Sequence, residues 1–221
     1  MTRSSFRRRW FLAIVTATLL VGSSGSRSHA DVIFDTGLTE PFFGWTGFDI
    51  NPDQSVGVAF SPTYGCTLDR VGVWFMSNDF DNAGRTYTLK LVTDASGSNF
   101  TIPNTANVLE QWSMATNAVG WTPVLDQANS VSHPLLNAGS VYWLVAESTE
   151  PGGLDPLWTL AGNDVQYYSG SDNSLNVNGW EAGYSFGSTP GTVIEATAVP
   201  EPATIGIVGL VISLAATRRR R

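Results

Sequence analysis

Helical periodicity is nearly absent between residues 31 and 198, and this constrains the fold more than any other feature of the chain. Short runs rich in Val, Thr, Trp, Tyr and Phe are separated by clusters of Gly, Pro, Asn, Asp and Ser, the pattern of an all-β domain. Over residues 86–93, Tyr87, Leu89 and Leu91 alternate with Thr88, Lys90 and Val92, the two-residue period of a half-buried strand. Over residues 67–76, Val71, Val73 and Phe75 share one face, and Leu68, Gly72, Trp74 and Met76 share the other. Residues 140–147 set Val141, Trp143 and Val145 against Tyr142, Leu144 and Ala146. Strands apolar on both faces belong near the middle of a sandwich. Further strands are expected at 56–60, 108–114, 121–125, 157–160, 183–186 and 192–197, while the polar stretch 162–179 reads as a long excursion or hairpin. About nine strands with frequent turns predict a two-sheet antiparallel sandwich, jelly-roll-like or immunoglobulin-like.

Residues 31–198 suffice for one domain with a real core. They hold eighteen Asp and Glu against three basic residues, Arg70, Arg85 and Lys90. Such a surface repels phosphate backbones and argues against nucleic acid; it suits a soluble protein outside the cell, in loose association with cations or sugars. Cys66 is the sole cysteine, so no internal disulfide can form and packing alone must hold the fold.

Both ends read as targeting segments. Arg3, Arg7, Arg8 and Arg9 precede an apolar run over 10–21, and a small, polar stretch follows, ending Ser28-His29-Ala30. This is the build of a secretory signal peptide over 1–30, with small residues where signal peptidase needs them and a cut between Ala30 and Asp31. An uncleaved anchor is the alternative. At the other end, Val199-Pro200-Glu201-Pro202 leads into an uncharged apolar run over 203–217, closed by Arg218, Arg219, Arg220 and Arg221. Fifteen residues of helix span about 22 Å against roughly 30 Å of hydrocarbon. One short transmembrane helix is expected there, stopped by arginines on the cytoplasmic side. So short a span suits a segment held briefly and then removed. A plain stop-transfer tail is the competing reading.

Residues 199–221 resemble the PEP-CTERM sorting signal, also catalogued as an ice-binding-protein C-terminal domain, which consists of the same box, apolar segment and arginine cluster in the same order. The catalogue name licenses no claim about ice. The resemblance implies recognition by an exosortase, with Pro200, Glu201 and Pro202 as the recognition box, in a Gram-negative-type bacterium that makes exopolysaccharide. The middle of the chain is similar to the choice-of-anchor R domain. Its matching pieces are Val58-Ala59-Phe60-Ser61, Thr67-Leu68-Asp69-Arg70-Val71, Leu109-Glu110-Gln111-Trp112, His133-Pro134-Leu135-Leu136 and the run from Ala138 to Val145. That resemblance implies a secreted β domain and transfers no active site.

Catalytic signals are sparse. A nucleophilic triad needs a base, and the exported part offers only His133, which reads as a loop residue; Cys66 reads as a small buried apolar side chain. One His and one Cys cannot build the usual zinc shell. Asp79-Phe80-Asp81-Asn82-Ala83-Gly84 resembles the opening of a calcium loop, but Ala83 takes a ligand position and Lys90 stands where the closing Glu belongs. Asp79 and Asp81 are thus a weak calcium candidate, with Asp164 and Asp172 as further acidic positions; no other cofactor is expected. Trp74 and Trp143, inside apolar strands, read as core. Trp121, Trp158 and Trp180 sit near Gly, Asn or Pro and are candidates for stacking on sugar rings. The expectation is a non-enzymatic exported protein, with signal peptidase, exosortase and a transient inner-membrane stay as its partners and exopolysaccharide as a candidate contact. A carbohydrate-binding module is the first alternative and a secreted hydrolase the second.

Overall fold

In the computed structural model the described residues are 29–38, 46–77, 84–95, 102–149, 156–161, 167–172, 180 and 189–199. The expected signal peptide up to residue 28, the transmembrane segment and the strand at 183–186 lie outside them. Every regular element among the described residues is a strand: β1 (Ala30–Asp35), β2 (Gly47–Asp49), β3 (Gln54–Phe60), β4 (Cys66–Met76), β5 (Thr86–Asp94), β6 (Pro103–Ala115), β7 (Val124–Asn129), β8 (Leu135–Leu136), β9 (Tyr142–Glu147), β10 (Leu157–Ala161), β11 (Tyr167–Asp172), β12 (Thr189–Pro190) and β13 (Thr192–Ala198). They form two antiparallel sheets. The larger runs β1-β13-β4-β10-β12, with β2 on β10 and with β7 and β8 on β4; the smaller runs β11-β3-β9-β5-β6. The expected all-β, two-sheet class is what the chain adopts.

Long β4 is the spine of the larger sheet. Along one edge it pairs with β13 from Cys66 to Val73; β8 takes Cys66 and Thr67, and β7 takes the stretch from Arg70 to Phe75. Its apolar alternation puts Val71, Val73 and Phe75 into the core between the sheets. Leu68 departs from the expected parity. Arg70 faces Glu195 while Leu68 faces Ala196, so Asp69 is an extra residue, a bulge that turns Leu68 to the same side as Val71. Leu68 is fully buried in the main core, and Trp74 stays half-buried outside it.

The smaller sheet contributes Val56, Val58, Phe60, Tyr87, Leu89, Leu91, Tyr142, Leu144 and Ala146 to the same core. Phe75 meets Tyr87 of the other sheet edge-on with centroids 4.6 Å apart, and Trp158, beside Phe75 in the same sheet, lies 5.9 Å from it. Central β9 is apolar on both faces, as expected. Its other face carries Trp143 and Val145, which form a second buried cluster with Val92, flanked by Ala59, Val141 and Trp180.

Other boundaries moved. The strand expected at 121–125 begins at Val124, because Gly120 and Trp121 form a turn whose Gly120 carbonyl accepts from the Ser77 amide, 2.9 Å. Within the stretch read as an excursion, residues 167–172 pair with β3. The N-terminal strand β1 was not anticipated; its partner β13 lies at the far end of the domain sequence.

Candidate functional site

The expected signal-cleavage position and Val199, the start of the Val-Pro-Glu-Pro box, lie on one seam. Ala30 faces Thr197 and Asp31 faces Ala196 across β1 and β13. One row further, Ala198 faces Cys66, and the Val199 amide donates to the Gly65 carbonyl, 2.9 Å. The expected signal-cleavage bond therefore lies inside a strand, and the first residue of the Val-Pro-Glu-Pro box is still tied to the sheet. Pro200, Glu201, Pro202 and Arg218 to Arg221 lie outside the described residues.

Polar side chains pin this seam. The Thr197 hydroxyl donates to the Asp69 carboxylate at 2.6 Å, and Arg70 reaches both Glu195 oxygens at 2.6 Å. His133, in the left-handed region with φ 45°, donates Nδ1–H to the Leu68 carbonyl at 2.9 Å and lies 3.8 Å from Asp69. This makes it a loop anchor, consistent with its reading from sequence. Glu110, on β6 of the other sheet, accepts from the Ser130 hydroxyl and the Val131 amide, both 2.6 Å, and from the Ser132 amide. Burial alone would raise its carboxyl, but these hydrogen bonds outweigh burial and hold it below the usual carboxylate range. Cys66 is buried, and burial first, then the charge of Asp69, pushes its thiol up, away from thiolate reactivity.

A cleft of about 460 Å³ opens on the outer side of the smaller sheet. Asn51, Thr88, Asn104, Glu147, Thr149 and Trp180 are among its lining residues. Trp180 lies over Gly57: a β-carbon built there would stand 3.4 Å from its ring and 3.3 Å from Val145. The bare glycine backbone thus leaves room for the indole. Glu147 is ion-paired with Lys90, and next to Ala95, which lines the cleft, Asp94 accepts from the Trp143 indole N–H at 2.9 Å. The chemistry on offer is an aromatic face beside amides, hydroxyls and one carboxylate held by a cation.

The three candidate tryptophans do not meet. Trp180 lines the cleft, half-buried. Trp121 is 41% exposed in the turn beyond the far end of β4. Trp158 is fully buried and donates its indole N–H to the Gly191 carbonyl at 2.9 Å; the expectation that it stacks on sugar is corrected, since the core between the sheets takes its ring. Asp79, Asp81 and Asp164 lie outside the described residues. Among the described residues no three His, Cys, Asp or Glu side chains gather closely enough to hold a metal ion. Sequence reasoning did not find Asn51, Asn104 and Glu147, because they converge from separate strands and loops with no local signature.

No curated protein and no solved structure matches the chain. The family model of the PEP-CTERM protein-sorting motif matches residues 198–221, beginning at the last residue of β13. That motif implies exosortase processing and export to the cell surface by way of the membrane. The seam where β1 and β13 meet thus opens directly into a PEP-CTERM protein-sorting motif.

Proposed function

We propose that the chain is a non-enzymatic envelope or extracellular-matrix protein of a Gram-negative-type bacterium. In this reading a signal peptide over 1–30 is removed by signal peptidase, and the tail holds the precursor briefly in the inner membrane. An exosortase then releases or transfers the folded domain. The single observation that carries it is the direct junction of the sorting motif to the last strand, with Val199, the first residue of the box, still hydrogen-bonded to Gly65. The resemblance of the middle to the choice-of-anchor R domain supports the same assignment. Glu201→Ala is expected to leave the protein in the inner membrane at its full C-terminal length, read by mass spectrometry of the terminus. Release of that variant with normal processing defeats the reading.

A second reading is favoured by the cleft: the exported domain binds polysaccharide through Trp180. An indole face beside Asn51, Asn104 and Thr88 suits a sugar ring, whose apolar face stacks and whose hydroxyls need donors and acceptors. Trp180→Ala is expected to lower retention on exopolysaccharide at least several-fold, with Trp121→Ala unchanged. Equal retention of all three proteins removes the cleft from consideration. Release of reducing ends during the incubation would point to the hydrolase alternative.

A further inference from the structure

Eight large hydrophobic side chains are markedly exposed among the described residues, and five of them surround the exit of the sorting motif: Val32, Tyr64, Val131, Leu135 and Val199. The register places them there. Val199 hydrogen-bonds at Gly65, next to Tyr64. Leu135 faces Thr67, which faces Thr197. Val32 faces Glu195. Val131 follows Ser130, whose amide donates to the carbonyl of Asp69, the residue that takes the Thr197 hydroxyl. Val131 is 85% exposed and Leu135 55%. Their loop is nevertheless held still by Glu110 and His133, so the exposure is built in.

The chain length beyond this end says what can cover it. Three residues, Pro200, Glu201 and Pro202, separate Val199 from Ala203, where the apolar run of the sorting motif begins, so the chain takes four steps between them. At full stretch they reach roughly 14 Å. While that run is in the bilayer, Val199 can therefore stand no more than roughly 14 Å from the hydrocarbon edge, which brings this end of the domain, with Tyr64 and Leu135, up to the headgroup layer. Tyr is a side chain that settles at that level, and the strongly acidic domain has no electrostatic attraction to a membrane surface that would do the same job. A handful of apolar side chains binds weakly alone, but the tether raises their local concentration.

We propose that this end of the sandwich is a lipid-docking surface: it rests on the outer leaflet of the membrane that holds the sorting motif and orients the seam toward it. The proposal rests on the membrane-held precursor described above. It is tested on the full-length chain in vesicles of phosphatidylethanolamine and phosphatidylglycerol. In a Cys66→Ala background, Tyr64→Cys, Val131→Cys, Leu135→Cys and, at the opposite end, Trp121→Cys each carry a polarity-sensitive fluorophore. Lipids spin-labelled at the headgroup are expected to quench positions 64, 131 and 135 at least twofold more than 121, unchanged in high salt. Leu135→Ser with Val131→Ser, both exposed and tolerable to the fold, is expected to lower quenching at 64 toward the value at 121. Equal quenching at all four positions in carbonate-resistant vesicles overturns the docking and leaves the sorting reading intact. A chain washed out by carbonate overturns both. Quenching or shielding that appears only when exosortase is reconstituted alongside overturns lipid docking in favour of a protein partner.

Discussion

Ala30 stands opposite Thr197 in the β1–β13 ladder, so the expected signal-cleavage bond and the last strand before the sorting motif occupy neighbouring positions. On the proposed export route β13, the partner of β1, is the last strand of the domain to emerge, and until it does the Ala30–Asp31 bond of β1 would be unpaired and open to signal peptidase. Afterwards β13 holds it extended between hydrogen bonds on one side.

Cleavage is therefore expected to precede closure of the sandwich. Precursor diluted from urea directly into signal peptidase is expected to be cut at least tenfold faster than precursor refolded first. Sequencing of the exported protein is expected to begin at Asp31. Equal cutting rates for both preparations would show that β1 detaches freely.

Trp158 and Trp121 separate core from surface. Trp158 fills the space between the sheets, buried and hydrogen-bonded to Gly191, and Trp158→Ala is expected to cost about 3–5 kcal/mol. Trp121→Ala is expected to stay within about 0.5 kcal/mol of the parent. Urea unfolding followed by far-ultraviolet circular dichroism measures both; a mild effect at Trp158 would contradict its place in the core.

Tyr87 on β5 donates its hydroxyl to buried Asp126 on β7 at 3.2 Å, joining the two sheets. Asp126 also accepts from the Asn117 amide and side chain. Burial first, then the Asp126 charge and this hydrogen bond, push the Tyr87 hydroxyl far above its ordinary value. Its contribution is complete below the unfolded tyrosine value of about 10 and lost as pH rises above it. Tyr87→Phe is expected to cost about 1.5–3 kcal/mol at neutral pH and to flatten the alkaline fall in Tm. An unchanged Tm at pH 7 would remove the inter-sheet bond from the account.

Glu110 links loop 130–133 to the edge strand of the other sheet. Its folded value lies below the unfolded one, so its contribution is present above the ordinary carboxylate range and lost as pH falls through the lower folded value. Because the group is partly solvated, Glu110→Gln is expected to cost only about 1 kcal/mol near pH 7. The gap to the parent should close from about pH 5 downward. A gap that stays constant to pH 3 in thermal melts would mean the carboxylate charge is not what holds the loop.

The chain's alternating runs determined by themselves that this is a β domain, because a side-chain period of two leaves a helix no continuous apolar face. They also located most long strands, since burial on one or both faces is written locally. The sorting motif was legible for the same reason: its box, apolar run and arginines are contiguous. Tertiary structure alone decided the rest. The Asp69 bulge, which moves Leu68 into the core, exists only in relation to β13. Trp158 is buried although Pro156 stands just before its strand, because the ring fills the space beside Phe75. The cleft around Trp180 and the pairing of Ala30 with Thr197 join segments far apart in the chain. Such contacts follow from which strands close on one another, and strand order is set by the packing of whole sheets, which no local pattern encodes.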